Sequence, residues 1–302
     1  MIPVILDTDI GTDIDDTWAL AMLLRSPELD LKAVVTSHGD TGYRARLVAK
    51  MLTIAGRTDV PVGEGSGDGH LAPNRRGQDG WLGDYRASDY RGTYRRDGVA
   101  LMVETIMASP EPVTVLAIGP ASTVADALAA EPAIATKARF VGMHGAVRRG
   151  YRNSETPVPE YNVFLDVAAF RTVLAADWEI VLTPLDTCGI VLLEGDDYRR
   201  VRDSDDPLMQ AVMANYRTWA KAADIEEMAE RRSSTLFDTV AVYLAFATDL
   251  LEMESIRLAV RDDGLTYETP EGSAVEAALA WRDLDAFRDL LIRRLLNLGP
   301  NP

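Results

Sequence analysis

Five aspartates, Asp7, Asp9, Asp13, Asp15 and Asp16, fall within ten residues of the stretch VILDTDIGTDIDDTWAL, residues 4–20. Carboxylates this dense do one of two kinds of work. Either they face water on a solvated, helix-capping loop, or they surround a cation, because a hard divalent ion takes several oxygen ligands from carboxylates and backbone carbonyls. A helix starting near Asp15 or Asp16 has a positive dipole end that offsets one or two of the five charges and leaves the rest uncompensated. Other residues with chemical potential stand in polar stretches or at element ends: Asp40 in SHGDT, Arg76 and Trp81 in RGQDGWLGD, Met143 and His144 in FVGMHGA, Glu160 and Asn162 in PEYN, and Phe237 with Asp238 in TLFDTV. The imidazoles are His38, His70 and His144. A lone thiol, Cys188, excludes an internal disulfide framework and a thiolate metal cluster; it reads as a small buried residue.

The elements that must position these groups alternate. PVILD, LKAVVTS, VPVGEG, PVTVLAIG, ARFVGM and WEIVLTPLD are short, apolar and rich in β-branched residues, which predicts strands. Amphipathic runs lie between most of them, among them DDTWALAMLLRS, YRARLVAKMLTIAG, GVALMVETIMAS, ASTVADALAA and DVAAFRTVLAA. Continuous apolar strands alternating with helices predict an α/β fold, an open and mostly parallel sheet with helices on both faces. Beyond residue 200 the pattern turns mainly helical, with STLFDTVAVYLAFA the clearest case. Two late strands, IRLAV and SAVEAALAW, precede a last helix, LDAFRDLLIRRLLNLG. Residues 63–95 and 144–161 read as irregular. Each follows a strand, so both are expected as site-forming loops at strand C-termini. A single domain over 1–302 is expected.

The chain has 302 residues, 47% of them hydrophobic, enough for a large core, and a formal charge of −16. That charge argues against nucleic-acid or anionic-membrane partners, which call for basic patches. The first residues read as a strand with no basic n-region or apolar h-region, and no apolar run reaches membrane-spanning length. A cytoplasmic protein is expected.

Strand–DTDIG–DD–helix resembles the opening D-x-D-x-G-x-D-D of the inosine-uridine-preferring nucleoside hydrolase family. TVLAIGPASTVADAL resembles the family's strand–turn–helix that lends a backbone carbonyl to a metal. FVGMHGA resembles its Met-Gly-Gly strand end, PEYNVFLDVAAF its E-F-N…D-P-E-A-A segment, and TLFDTVAVYL its H-D-P-x-A-V helix start. The resemblance implies a nucleoside-hydrolase-like fold and Ca²⁺-dependent hydrolysis of an N-riboside to base and ribose. It puts the Ca²⁺ ligands at Asp9, Asp16, the Ile118 carbonyl and Asp238, with Asp9 also the general base toward water. Asp7 would support Asp9 and the loop. Asp15, Glu160 and Asn162 match positions that bind the ribose hydroxyls, and Asp40 stands where an Asn usually does. The family further implies a homodimer or homotetramer.

Three departures matter. The acidic loop is two residues longer than the family pattern, leaving Asp13 without a counterpart; it is expected as a surface charge. Phe237 occupies the place where many members carry the histidine that protonates the leaving base. Arg76 replaces a histidine in the loop over the base pocket, and a permanent cation binds an anion better than it donates a proton. His144 is then the best alternative acid, while Trp81, Tyr161 and Phe237 are candidates to stack a base. Two other functions stay open at this point. One is a degenerate member that binds nucleosides without cleaving them; the other is a haloacid-dehalogenase-like phosphatase, suggested by ILDTDIGT.

Overall fold

The structure, a computed structural model, describes residues 1–299. The expected strands form as β1 (Ile2–Thr8), β2 (Leu29–Thr36), β3 (Val62–Glu64), β5 (Val113–Ala117), β6 (Ala138–Gly142), β7 (Ile180–Leu182), β8 (Leu251–Val260) and β10 (Ser273–Trp281). Two short strands were not expected, β4 (Tyr94–Arg95) and β9 (Thr266–Glu268). All ten join one sheet in the order β4-β3-β2-β1-β5-β6-β7-β10-β8-β9. Pairing is parallel from β4 to β10, and only β8 and β9 run antiparallel to their neighbours. The α/β expectation holds.

The helices are α1 (Asp15–Leu24), α2 (Thr41–Ile54), α3 (Asp79–Leu82), α4 (Gly98–Ala108), α5 (Ser122–Ala130), α6 (Tyr161–Leu165), α7 (Val167–Ala175), α8 (Leu185–Cys188), α9 (Gly195–Arg202), α10 (Pro207–Ala222), α11 (Glu226–Arg231), α12 (Phe237–Leu244) and α13 (Leu284–Leu295). The strand expected through Asp186 stops at Leu182, because Pro184 offers no N–H to a ladder and instead caps α8. The helix expected from Ser234 starts three residues later, at Phe237.

Two apolar cores cover the sheet faces. On β1, Val4 and Leu6 join the core containing Trp18 and Leu47, while Ile5 joins the opposite core with Val35, Val115 and Phe140. The chain winds outward from β1 through β2, β3 and β4, then returns to lay β5 along the other side of β1. Loops leaving β1 and β5 therefore depart in opposite directions and open a crevice between their C-terminal ends. The Ile118 amide donates to the Asp7 carbonyl across this gap at 2.9 Å. That register brings the acidic loop beside the IGP turn, about 110 residues away in sequence.

Candidate active site

A cavity of about 60 Å³ sits at this crevice, lined by Asp9, Asp13, Asp15, Asp16, Ile118, Met143, Tyr151, Glu160, Tyr161, Asn162, Phe237 and Asp238. Counted as space open to the centres of water molecules, at ~10–15 Å³ for each, it has room for an ion and a few waters. Asp15, Asp16 and Asp238 each place a carboxylate oxygen within 4.8 Å of the others, and all three residues are buried. Burial first, then mutual repulsion, holds their pKa values well above the usual carboxylate range.

The loop conformation explains how acids reach this position. Gly11 adopts φ +115°, and a Cβ there would lie 2.5 Å from Cε1 of Tyr43, so this tight turn needs glycine. The chain then enters α1 through Ile14, whose carbonyl accepts the Thr17 amide at 3.0 Å. Thr8, which the sequence did not single out, donates its hydroxyl to Asp16 and accepts the Ile10 amide at 3.1 Å. Asp238 is not a helix cap. Leu236 holds the cap position, and Asp238 stands in the first turn of α12.

Asp9 lines the cavity but lies outside the three-carboxylate set. Its counter-charge is Arg44, 3.8 Å away and 1% exposed, another residue the sequence reading passed over. The signal was there: Arg44 shares a helical stripe with Leu47, Val48 and Met51, where a charge must find a buried partner. Gly119 fits tightly against Asp9, since a Cβ would lie 2.7 Å from the Asp9 amide nitrogen.

Asp7 does not support Asp9 as expected. Strand alternation puts it on the Ile5 side of β1, and neither carboxylate oxygen has a hydrogen-bond partner. Burial pushes its pKa up to about 8, against the pull of the nearby Ser37 hydroxyl, so it is mainly neutral at pH 7.

Glu160 and Asn162 do reach the cavity. Glu160 caps α6, its carboxylate accepting the amides of Asn162 (2.7 Å), Gly145 (3.0 Å) and Val163 (3.2 Å). Burial nonetheless raises its pKa to about 7. The Asn162 side-chain amide donates to the carbonyls of Ile118 and Met143, both at 3.1 Å. One lone pair of the Ile118 carbonyl is thus spent and one remains.

Four expected site residues lie outside the cavity lining. Asp40 caps α2 through the Tyr43 amide (2.9 Å) and pairs with Arg76 at 2.6 Å. Arg76 is further used by Asp79 at 3.1 Å and lies over the Tyr43 ring. Trp81 packs under the Lys50 ammonium. His144 is fully buried and stacked on Phe170 at 4.7 Å, and neither ring nitrogen has a hydrogen-bond partner. Burial lowers its pKa to about 3, so it carries no proton to give at neutral pH. Asp13, expected as a plain surface charge, is exposed yet stands in the cavity wall. Tyr151 was missed; it meets Phe237 edge-on at 6.0 Å, and its phenol oxygen accepts the Tyr161 amide at 3.0 Å. Cys188 is buried, as expected.

Buried carboxylates gathered at the switch point of such a sheet mark a ligand site of the open α/β class, and the comparisons say which family it belongs to. Residues 4–285 match the family described as inosine-uridine preferring nucleoside hydrolase. The chain belongs to that family and is an N-ribohydrolase. Among its relatives is the pyrimidine-specific ribonucleoside hydrolase RihA of Citrobacter koseri, 34% identical over 219 residues, covering 70% of this chain and 69% of that one. The RihA of an Escherichia coli strain is 33% identical over the same spans. The plant nucleoside hydrolase PpNRh1 superposes with a TM-score of 0.82 at 24% identity, covering 98% of this chain and 99% of that chain. An inosine-uridine preferring nucleoside hydrolase from Bacillus anthracis gives 0.77 at 21%, covering 99% and 100%. These likenesses confirm the fold, and the family assignment removes the phosphatase alternative. Among the described residues no helix is long and apolar enough to cross a membrane.

Proposed function

We propose that the chain hydrolyses the N-glycosidic bond of ribonucleosides in a Ca²⁺-dependent way, within cytoplasmic nucleoside salvage and as a homo-oligomer. The observation that carries the metal dependence is the buried Asp15/Asp16/Asp238 set, with oxygens within 4.8 Å. The three donors of that set are all carboxylate oxygens, which suits a hard divalent cation. Asp16 and Asp238 would hold it, with Asp9 and the free lone pair of the Ile118 carbonyl completing the donors. When bound, a divalent cation supplies positive charge that lowers the pKa of a neighbouring water and orients a sugar diol.

The chain's own groups do the rest. Asp9, restrained by Arg44, takes the proton from the attacking water. Glu160 and Asn162, both tied down by backbone hydrogen bonds, fix the sugar hydroxyls and pucker. The carboxylates stabilise the positive charge that develops on the ribose ring. Tyr151, Tyr161 and Phe237 form the aromatic side, where the base would stack.

A reducing-sugar assay over purine and pyrimidine ribonucleosides, with Ca²⁺ and with EDTA, tests this. Ribose release that disappears in EDTA and returns with Ca²⁺ supports it. Release unaffected by chelation overturns the metal dependence. Ca²⁺-dependent ribose binding without cleavage of any nucleoside would overturn the hydrolysis reading.

A further inference from the structure

The acidic loop makes hydrogen bonds that its own fold does not require. Its five successive carbonyls, from Asp9 to Asp13, each accept from a side chain outside the loop. Arg44 donates Nη1 to the carbonyls of Asp9 and Ile10, the latter at 3.1 Å. The Tyr43 hydroxyl donates to Gly11 at 3.3 Å. The Trp219 indole N–H donates to Thr12 at 3.0 Å, and the Gln78 side-chain amide donates to Asp13 at 2.7 Å. These donors come from α2, α10 and the segment before α3, so three separate pieces of chain converge on five residues.

The donors are themselves locked. Arg44 also gives Nε to the His38 carbonyl at 2.8 Å. Gln78 is fully buried, passes its own amide N–H to the Tyr43 hydroxyl at 3.2 Å, and accepts from Asn215 at 2.7 Å. Gln78 therefore braces the acidic loop from the segment that precedes α3.

We infer that Arg44, Tyr43, Gln78 and Trp219 are positioning residues whose hold on these carbonyls sets the acidic loop in its cation-binding shape before the cation arrives. Within the gripped stretch, Asp9 and Asp13 face the cavity, while Thr12 turns its hydroxyl to Arg44 at 3.1 Å. The reasoning is energetic as well as geometric. Neighbouring acids drive the loop apart when no cation is present, and a chain with more residues in the turn has more conformations in which to escape. Donors fixed on rigid helices remove those conformations in advance. Affinity for the cation then includes no cost of ordering the loop.

This inference rests on the cation reading above, and the test separates the two. Tyr43→Phe removes one hydroxyl and keeps the ring; Trp219→Phe removes the indole N–H. Tyr90→Phe serves as control, because Tyr90 is also buried and donates to a backbone carbonyl, that of Val60 at 2.5 Å, far from the loop. Ca²⁺ binding to the chelator-stripped protein is measured by calorimetry, and amide exchange over residues 10–14 by mass spectrometry. Tyr43→Phe and Trp219→Phe, the two clasp variants, are each expected to bind Ca²⁺ about tenfold more weakly, the factor for ~1.4 kcal/mol of lost hydrogen bonding, and to exchange faster at 10–14. Tyr90→Phe is expected to lower Tm without moving either quantity. Equal Ca²⁺ affinity and unchanged exchange in both clasp variants, with Tm lowered as in Tyr90→Phe, would overturn the inference. If the wild type takes up no Ca²⁺, the cation reading fails, and the exchange comparison by itself decides for or against the clasp.

Discussion

Replacing Asp238 with Asn should make the cation-free protein more stable and the cation-loaded protein less so. Asp238 is buried with carboxylate neighbours, and its oxygen lies within 4.8 Å of those of Asp15 and Asp16. Two unit charges at that distance repel by ~3.5 kcal/mol at an effective dielectric of about 20. Burial shifts this set toward its protonated form, which trims the relief from neutralising one member to roughly 1–2 kcal/mol. Asn keeps the shape of the side chain, so no cavity term opposes the gain. At about 2–4 °C per kcal/mol for a chain of this size class, Tm in EDTA should rise by about 2–8 °C. A saturating cation reverses the order. The wild type gains ~2.7 kcal/mol at a concentration a hundredfold above Kd, whereas the variant has lost a ligand and gains almost nothing. Differential scanning fluorimetry in EDTA and across a Ca²⁺ series measures both limbs. A variant that is less stable than wild type in EDTA, or one that keeps the full Ca²⁺-dependent rise in Tm, would refute the view of the triad as a cation site held under repulsion.

Phe237→His should speed cleavage of inosine or uridine, since a positioned acid is typically worth a hundredfold or more, while p-nitrophenyl riboside, whose leaving group needs no proton, should change little. Equal effects on both substrates would show that position 237 acts on something other than the leaving group. His144→Leu should flatten the acid side of the stability profile. The neutral imidazole's folded pKa of about 3 lies below the unfolded value of ~6.5, so its contribution is complete above pH 6.5 and is lost as pH falls toward 3. By pH 4.5 the wild type should have lost roughly 2–3 kcal/mol that the variant does not lose. Denaturant melts at pH 7 and pH 4.5 measure this, and a wild-type-to-variant difference independent of pH would contradict a buried, uncharged His144.

How much was legible beforehand follows from which interactions are local. The β1 strand, the glycine turn and the acid-rich start of α1 are encoded within seventeen consecutive residues, and their meaning came through because apolar periodicity, a φ-permissive glycine and charge density all act at short range. The PEYN and FDT segments were legible in the same way, and Glu160, Asn162 and Asp238 do line the cavity. Where an expected site residue lies outside the cavity lining, the deciding contact is distant in sequence. Asp40 and Arg76 looked like substrate groups until the fold paired them with each other. His144 looked like an acid until Phe140 and Phe170 enclosed it. Arg44 is betrayed locally by its apolar helical stripe, but Trp219 and Gln78 are not, because nothing nearby says that an indole and an amide from two other segments will grip the loop that Arg44 holds. Sequence determined which residues bear charge and which local shapes they prefer, for both are properties of a short chain segment. Only the tertiary structure decided which charges share a cavity, because the crossing from β4 back to β5 sets what lies beside β1, and burial then decides which of those groups keep their protons.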